Sequence, residues 1–440
     1  MNKFPSTFVS ALLPVFLPII ISAPALAMDA RSAALGGSAI ANGKGVHGAL
    51  ENPASLMNMQ REEQRMHFHL GLSTDIQDSG EYIGTALDNE TLPEELESAI
   101  DNLSNSTITC DENSNENSVC VSDTQRLSEL STTVLGILND VNGKPFNATA
   151  AADFGVAYTQ TSIPVAIHYR QSVTGAATTN VSSSDLGYIE TFANVTADDV
   201  ITVQEIATSA PLSISEDGQT LSVQQPEDVL TSEGQTSALI REQLGLSIAG
   251  SLNIAGFDVD LGVTPKFSEL RAASLTAAIS DGFDDESDTF ESRFEESETV
   301  ETAFNIDVGA SLSLASLPLQ VSVVARNMIN ETITTKDNFK FETTPQLIVG
   351  GALSLSKLTV SADIALNEAK LDNLDTQILA LGIDMGGPLL GLRAGVSHDT
   401  ARTDDATALS LGFSLGPVHI GGRLTDRNSA QAGAQLAFSF

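Results

Sequence analysis

The feature that most constrains this chain is a two-residue alternation of apolar and polar side chains, repeated in segments of about ten residues. In the last segment, Ala430, Ala432, Ala434, Leu436, Phe438 and Phe440 share one face, while Gln431, Gly433, Gln435 and Ser439 share the other. Successive side chains of a strand point to opposite sides, so such a segment separates an apolar environment from an aqueous one. Phe257, Val259, Leu261 and Val263 alternate in the same way with Asp258, Asp260, Gly262 and Thr264. Leu358, Val360, Ala362, Ile364 and Leu366 alternate with Thr359, Ser361, Asp363 and Asn367. Strands are expected near 64–74, 151–161, 163–174, 243–254, 257–267, 304–315, 319–327, 346–355, 357–367, 376–385, 388–398, 406–415, 417–425 and 430–440. That is about fourteen, an even number, each near the span of a tilted membrane strand.

The connections sort into two kinds in strict turn. Tight links fall at Ser162, Ala255–Gly256, Ser316–Pro318, Ser356, Gly386–Gly387 and Gly416, and the alternate links are longer, the first three covering 75–150, 175–242 and 268–303. With short turns in the periplasm and long loops outside, both termini fall in the periplasm. The charge follows the same division. Of a formal net charge of −36, the three longest connections hold 37 Asp and Glu against 5 Lys and Arg. Such loops repel nucleic acid and favour cations or basic partners, or simply keep the surface soluble.

The N-terminus reads as an export signal: Lys3, an apolar run from Phe8 to Ile21, and Ala25-Leu26-Ala27 as a small-x-small cleavage pattern. No other stretch approaches the roughly eighteen apolar residues of a membrane helix. The expected organisation is therefore a signal peptide over 1–27, a plug segment over 28–63 and an all-β, antiparallel transmembrane barrel over 64–440. Cys110 and Cys120, the only cysteines, read as a local disulfide in the first acidic loop of an exported protein. In the same loop Leu127, Leu130, Val134, Leu135 and Leu138 recur at helical spacing, which predicts an amphipathic helix over the barrel mouth.

Residues 30–56, ARSAALGGSAIANGKGVHGALENPASL, resemble the N-terminal segment of FadL-like outer-membrane proteins and, more closely, the exported TraF-like family. In that superfamily a small-residue stretch ending in Asn-Pro-Ala, here Asn52, Pro53 and Ala54, belongs to a plug inside the barrel. The segments DVDLGVTPKFSELRAASLTAA, FNIDVGASLSLASLPLQVSVVARNMIN and TPQLIVGGALSLSKLTVSADIALNE are similar to central and late strand pairs of the TraF-like family. FadL-like members import apolar molecules, and other relatives serve secretion machinery. The resemblance thus implies either a channel for small apolar molecules or a structural or docking part of a cell-envelope assembly such as a conjugation or secretion system. Gln431, Gly433, Leu436, Phe438 and Phe440 resemble the signal that bacterial barrels present to their insertion machinery.

One departure bears on architecture. Outer-membrane barrels carry aromatic girdles, yet this chain has no Trp, four Tyr and 18 Phe. A secreted soluble sandwich or solenoid is the competing fold.

With the apolar face outward, Arg65, His67, His69, Asp153, His168, Arg170, Lys266, Asp307, Arg326, Asp384, Arg393, His419 and Arg423 face the lumen. Both signs are present, which predicts an interior neutralised by charge pairs and a polar plug rather than a strongly selective pore. His47 falls in the plug. Barrel closure brings His67, His69, His168 and His419 to one side, a conceivable metal set, but ordinary polar lining is the expectation, with no metal and no cofactor. No Walker sequence, His-Glu-x-x-His, Gly-x-Ser-x-Gly or dinucleotide fingerprint occurs, so no enzyme is expected. The expected partners are outer-membrane lipids and the insertion machinery of a Gram-negative outer membrane, with a small apolar ligand or envelope proteins beside them, and no nucleic acid.

Overall fold

A computed structural model describes residues 29–61, 64–78, 118–120, 124–195, 200–202, 212–214, 221–223, 229–254, 257–278, 287–314, 317–372, 374–387, 389–402, 407–425 and 429–440, with isolated positions between 92 and 99. The expected signal peptide and Cys110 lie outside the described residues. Cys120 ends a short strand, Ser118–Cys120, but its side chain is likewise outside the description.

Fourteen strands close into one antiparallel barrel. In chain order they are β1 (Met66–Asp78), β2 (Pro145–Tyr158), β3 (Val165–Asn180), β4 (Glu233–Ile254), β5 (Phe257–Ala278), β6 (Thr299–Leu314), β7 (Leu319–Arg326), β8 (Gln346–Leu355), β9 (Leu358–Ala365), β10 (Ile378–Gly386), β11 (Leu390–Asp399), β12 (Thr407–Leu415), β13 (Val418–Leu424) and β14 (Ser429–Ser439). Each pairs with its sequence neighbours, and β1 closes on β14 in a register running from His67↔Ser439 to Gln77↔Ser429. Closure leaves no sheet edge, which is what a membrane demands of strands. The Arg65 N–H donates to the Phe440 carbonyl at 2.5 Å, so both ends of the barrel chain meet at the end that carries the tight turns. At one of those turns Gly416 takes φ +56°, a left-handed backbone that glycine adopts without strain.

The outer wall is apolar and the inner wall polar. On β12, Leu409 and Leu411 are 68% and 71% exposed, whereas Ser410 between them is 2% exposed. A soluble sandwich would reverse this arrangement. Exposed large apolar side chains recur on every barrel strand, far beyond the patch a water-soluble surface tolerates, so the wall faces lipid. The aromatic residues are few but ordered. Phe154, Tyr169, Phe267 and Phe304 are all exposed, and with Leu244 they form one register row across β2 to β6. At the turn end stand Phe257, Tyr158, Phe438 and Phe440. From Phe257 to Phe267 is ten residues along β5, about 25 Å for a strand tilted about 40°, the height of a lipid-facing band. Immediately beyond the row, Glu242, Glu269 and Arg271 begin, with Arg271 paired to Glu269 at 2.8 Å.

At the loop end, β4 and β5 project past the band. A hairpin of Glu331–Thr334 with Lys340–Thr343 folds against them, burying Ile333 and Phe341 beside Leu239, Leu270 and Ala272. The amphipathic helix expected in the first loop forms as α4 (Thr124–Val141). Its partner is a second helix, Ser183–Val195, joined through Ser128 Oγ donating to the Ala193 carbonyl at 2.7 Å.

The N-terminal segment lies inside the barrel. It comprises α1 (Ala30–Ala34), α2 (Gly45–Glu51), a 3-10 turn (Pro53–Ser55) and α3 (Leu56–Gln60), after which come α4 and α5 (Ser183–Val195) in the loops. Helix α1 rests on a smooth floor of glycines: a Cβ at Gly395, Gly421 or Gly433 would meet the backbone of Leu35 or Ala30. Close approach of a helix to a strand requires this absence of side chains.

Candidate functional site

The plug is fixed to the wall by polar contacts that pass through its Asn-Pro-Ala turn. Asn52 is fully buried. Its Oδ1 accepts from the Ala54 N–H at 3.0 Å, and its Nδ2 donates to the Ile40 carbonyl at 3.1 Å and to Ser311 Oγ at 3.0 Å. Pro53 sits against Gly262, where a Cβ would collide with its carbonyl carbon. Farther along, the Ile40 N–H donates to Asp363 at 2.8 Å, and Ser38 Oγ meets Ser361 Oγ at 2.8 Å.

Charge pairs neutralise the inner wall. Lys266 Nζ lies 2.7 Å from Asp307 and donates to Asn327 at 2.6 Å. Asp384 receives Arg31 of the plug at 2.7 Å and Arg393 of the wall at 3.4 Å. Arg326 pairs with Glu51 of the plug. His168 is buried against Gly245, whose missing side chain makes room for the imidazole. His419, Arg170 and Arg423 are half-buried on the inner wall. Arg65 departs from the expected lumen position: it precedes β1 and is exposed at the turn-end rim, because the strand begins only at Met66. In the terminal strand Gln431 and Gly433 face inward, while Leu436, Phe438 and Phe440 face outward.

The histidines do not gather as the strand order suggested. His67 turns to the terminal strand, with Nδ1 2.9 Å from Ser439 Oγ. His69 instead contacts Asp153 of β2 and lies 5.3 Å, centroid to centroid, from His47 of the plug. The Nε2 of His47 is 3.2 Å from both Asp29 and Glu51. Burial pulls His47 toward its neutral form, but the carboxylates of Asp29 and Glu51 outweigh it and raise its pKa above the ordinary value. Burial raises Glu51, yet Arg326 and His47 hold its carboxyl well below the usual carboxylate range. Asp29, Arg31, Ser38 and Glu51 were not anticipated as site residues. The available signal was Asp29 as an N-cap, accepting from the Ser32 N–H at 2.5 Å, and the isolated charges of a small-residue segment.

Two cavities meet the plug from opposite ends. One of about 300 Å³ opens at the turn end, lined by Ala41–Lys44, Asn58 and Met59 of the plug and by β6 to β8. The other, about 230 Å³, lies at the loop end. Its apolar lining is Ile40, Ile348, Ala365, Leu371, Leu374, Ile378 and Ala380; its charged lining includes Arg170, Arg326, Arg423, Asp75, Asp363 and Asp399. Gly37 and Ile40 line the second cavity while Ala41–Lys44 line the first, so one short stretch of plug separates them.

A family profile described as "F plasmid transfer operon, TraF, protein" matches residues 49–364. Among solved structures the chain is similar to a Pseudomonas aeruginosa FadL homologue, at 10% identity over 94% of this chain and 98% of that one, with a TM-score of 0.36. The CymD monoaromatic hydrocarbon channel is similar at 12% identity over 94% and 98%, with a TM-score of 0.33. The similarity to BauA, the ferric preacinetobactin receptor of Acinetobacter baumannii, is 11% over 64% of this chain and 45% of that one, with a TM-score of 0.31. The chain thus spans less than half the length of BauA. No curated protein matches the sequence.

Proposed function

The chain belongs to the family described as F plasmid transfer operon, TraF, protein, and from that premise we propose that it is a plug-gated channel of a Gram-negative outer membrane for a small molecule with an apolar body and a polar group. The observation that carries this reading is the loop-end cavity, whose lining combines apolar and charged side chains. Its volume of about 230 Å³ has room for about eight water-sized groups. A purely polar lining would suit ions or sugars, and a purely apolar one would suit hydrocarbons. In this reading the short turns and both termini lie in the periplasm and the acidic loops face outward. The outward apolar face meets lipid, and the terminal strand is read by the insertion machinery.

Benzenesulfonate is a suitable probe because it is amphipathic and permanently charged, and it does not cross bilayers unaided. Liposomes carrying the mature protein should admit benzenesulfonate faster than glucose, and Ala380→Trp, which fills the cavity, should remove the difference. Flux equal to that of protein-free liposomes would overturn the channel reading.

The second reading is docking within a cell-envelope assembly. It is favoured by the plug, which fills the lumen between the cavities, and by the 31 acidic residues of the three long connections, 79–144, 181–232 and 279–298. A protein partner retained through gentle extraction, with no flux in the liposome assay, would support it.

A further inference from the structure

Among the described residues, one group of three metal-ligating side chains is held together: His47, His69 and Asp153, all buried, each with a donor atom within 4.8 Å of the others'. They come from three elements, α2 of the plug and β1 and β2 of the wall. The site is therefore assembled only when the plug is seated.

The second observation is an imbalance in hydrogen bonding. His47 uses Nε2 toward Asp29 and Glu51, and His69 uses Nε2 toward Asp153. The Nδ1 of each imidazole, and Oδ2 of Asp29, are buried with no hydrogen-bond partner among the described residues. Whatever its protonation, a buried Nδ1 of this kind is unsatisfied: either a lone pair without a donor or an N–H without an acceptor, at a cost of about 1–3 kcal/mol. A metal ion in place of a proton would satisfy such a nitrogen and answer the buried carboxylates of Asp29 and Asp153 beside it. In His47, whose Nε2 is held by carboxylates while its Nδ1 is left over, this is the arrangement that orients metal-ligating histidines; His69 already presents Nε2 beside Asp153, so that nitrogen and the carboxylate would ligate together.

We propose that His47, His69 and Asp153 bind one divalent transition-metal ion that fastens the plug to the barrel wall. Two imidazoles and a carboxylate select a borderline ion such as zinc over calcium or magnesium, which prefer all-oxygen sites. Donors on one tetrahedral ion, at about 2.1 Å each, lie about 3.4 Å apart, so side-chain rotations need close the widest pair by at most about 1.4 Å. Glu51 lies beside His47 and also lines the loop-end cavity, which gives an ion an entry path from that side.

Cobalt(II) is the test ion because its d–d absorption reports coordination directly. Chelator-stripped mature protein, refolded and shown to be heat-modifiable, should bind one Co²⁺ per chain with visible bands, and Zn²⁺ should displace it. His69→Gln and Asp153→Asn should abolish this stoichiometric binding, while Glu51→Gln should weaken it about 10- to 100-fold. His67→Gln, one turn of the ladder away and outside the cluster, should leave it unchanged. A wild-type barrel that binds no tight Co²⁺, or binding that survives loss of His69, overturns the site and assigns the ions to the acidic loops. Should the variants fail to fold, pulsed EPR of Cu²⁺-loaded wild-type protein decides instead: imidazole nitrogens coupled to the metal are expected, and their absence rejects the proposal.

Discussion

Asn52 and Gly309 are fitted to each other, because a Cβ on Gly309 would fall on the Asn52 amide oxygen. Gly309→Ala is thus an overpacking change at a fully buried contact, expected to cost about 1–3 kcal/mol. Asn52→Ala leaves the Ala54 N–H and the Ile40 carbonyl without their partners, also about 1–3 kcal/mol. Both losses should fall on the plug rather than on the barrel, whose ladder neither residue completes through its side chain. Limited proteolysis should cut the plug of either variant faster, with heat-modifiable migration retained. Asn52, Pro53 and Ala54 were legible as a unit from their resemblance, and the glycines of the wall from their inward register. That these two sets meet was not, because the rotation of a short helix inside a barrel leaves no periodic trace. His47 meets His69 rather than His67 for the same reason.

The strand centres were legible because lipid and lumen impose opposite preferences on alternate residues. The strand ends were not. β4 begins at Glu233 and β5 runs to Ala278, about ten residues past the expected limits. Above the aromatic row the outward face becomes charged, as at Glu242, Glu269 and Arg271, so alternation no longer distinguishes the two sides. Two elements carry predictions of their own. Ser38 and Ser361, with oxygens 2.8 Å apart, place the plug stretch within disulfide reach of β9. Ser38→Cys with Ser361→Cys should bridge on oxidation and block benzenesulfonate flux, and reductant should restore it; unchanged flux in the bridged protein would show that this stretch does not gate the lumen. In the loops, Asp185 accepts from the Thr231 N–H at 2.8 Å and the Ser232 N–H at 2.6 Å, tying α5 to the start of β4. Burial works against its ionisation, but hydrogen bonds from Ser232, Ser182 and Thr231 hold its pKa below the ordinary value. A carboxyl depressed in the fold contributes stability that is present above its unfolded pKa of about 3.9 and lost as pH falls through the lower folded value. Protection of the Thr231 and Ser232 amides, taken relative to their intrinsic exchange rates, should therefore fall only below about pH 4, and Asp185→Asn should lower that protection at neutral pH.

At the scale of the whole molecule, the chain is an inside-out core. Its apolar side chains face lipid, and its polar ones pair with one another around a buried plug. This inversion explains why a sequence of mean hydropathy +0.05 with 18% charged residues has no helix among the described residues long and apolar enough to cross a membrane and still makes a membrane wall. It also explains the charge distribution: within the lipid-facing band the wall carries its charges inward, many of them in pairs, so most of the acidic excess lies in the connections, where water screens it. Leu411 tests the orientation of the entire wall, because it is among the most exposed side chains of the band while its neighbours Ser410 and Gly412 face the plug. In a soluble protein, an exposed leucine changed to arginine would be neutral or would improve solubility. In lipid, a cation near mid-membrane costs roughly 2–4 kcal/mol, whereas Leu411→Ala removes only favourable apolar contact. Refolding into phospholipid bilayers, followed by urea titration, should rank wild type above Leu411→Ala and place Leu411→Arg well below both. In water-soluble refolding without lipid or detergent, none of the three should reach the heat-modifiable state. A folded, soluble Leu411→Arg protein would mean that the apolar wall faces something other than lipid.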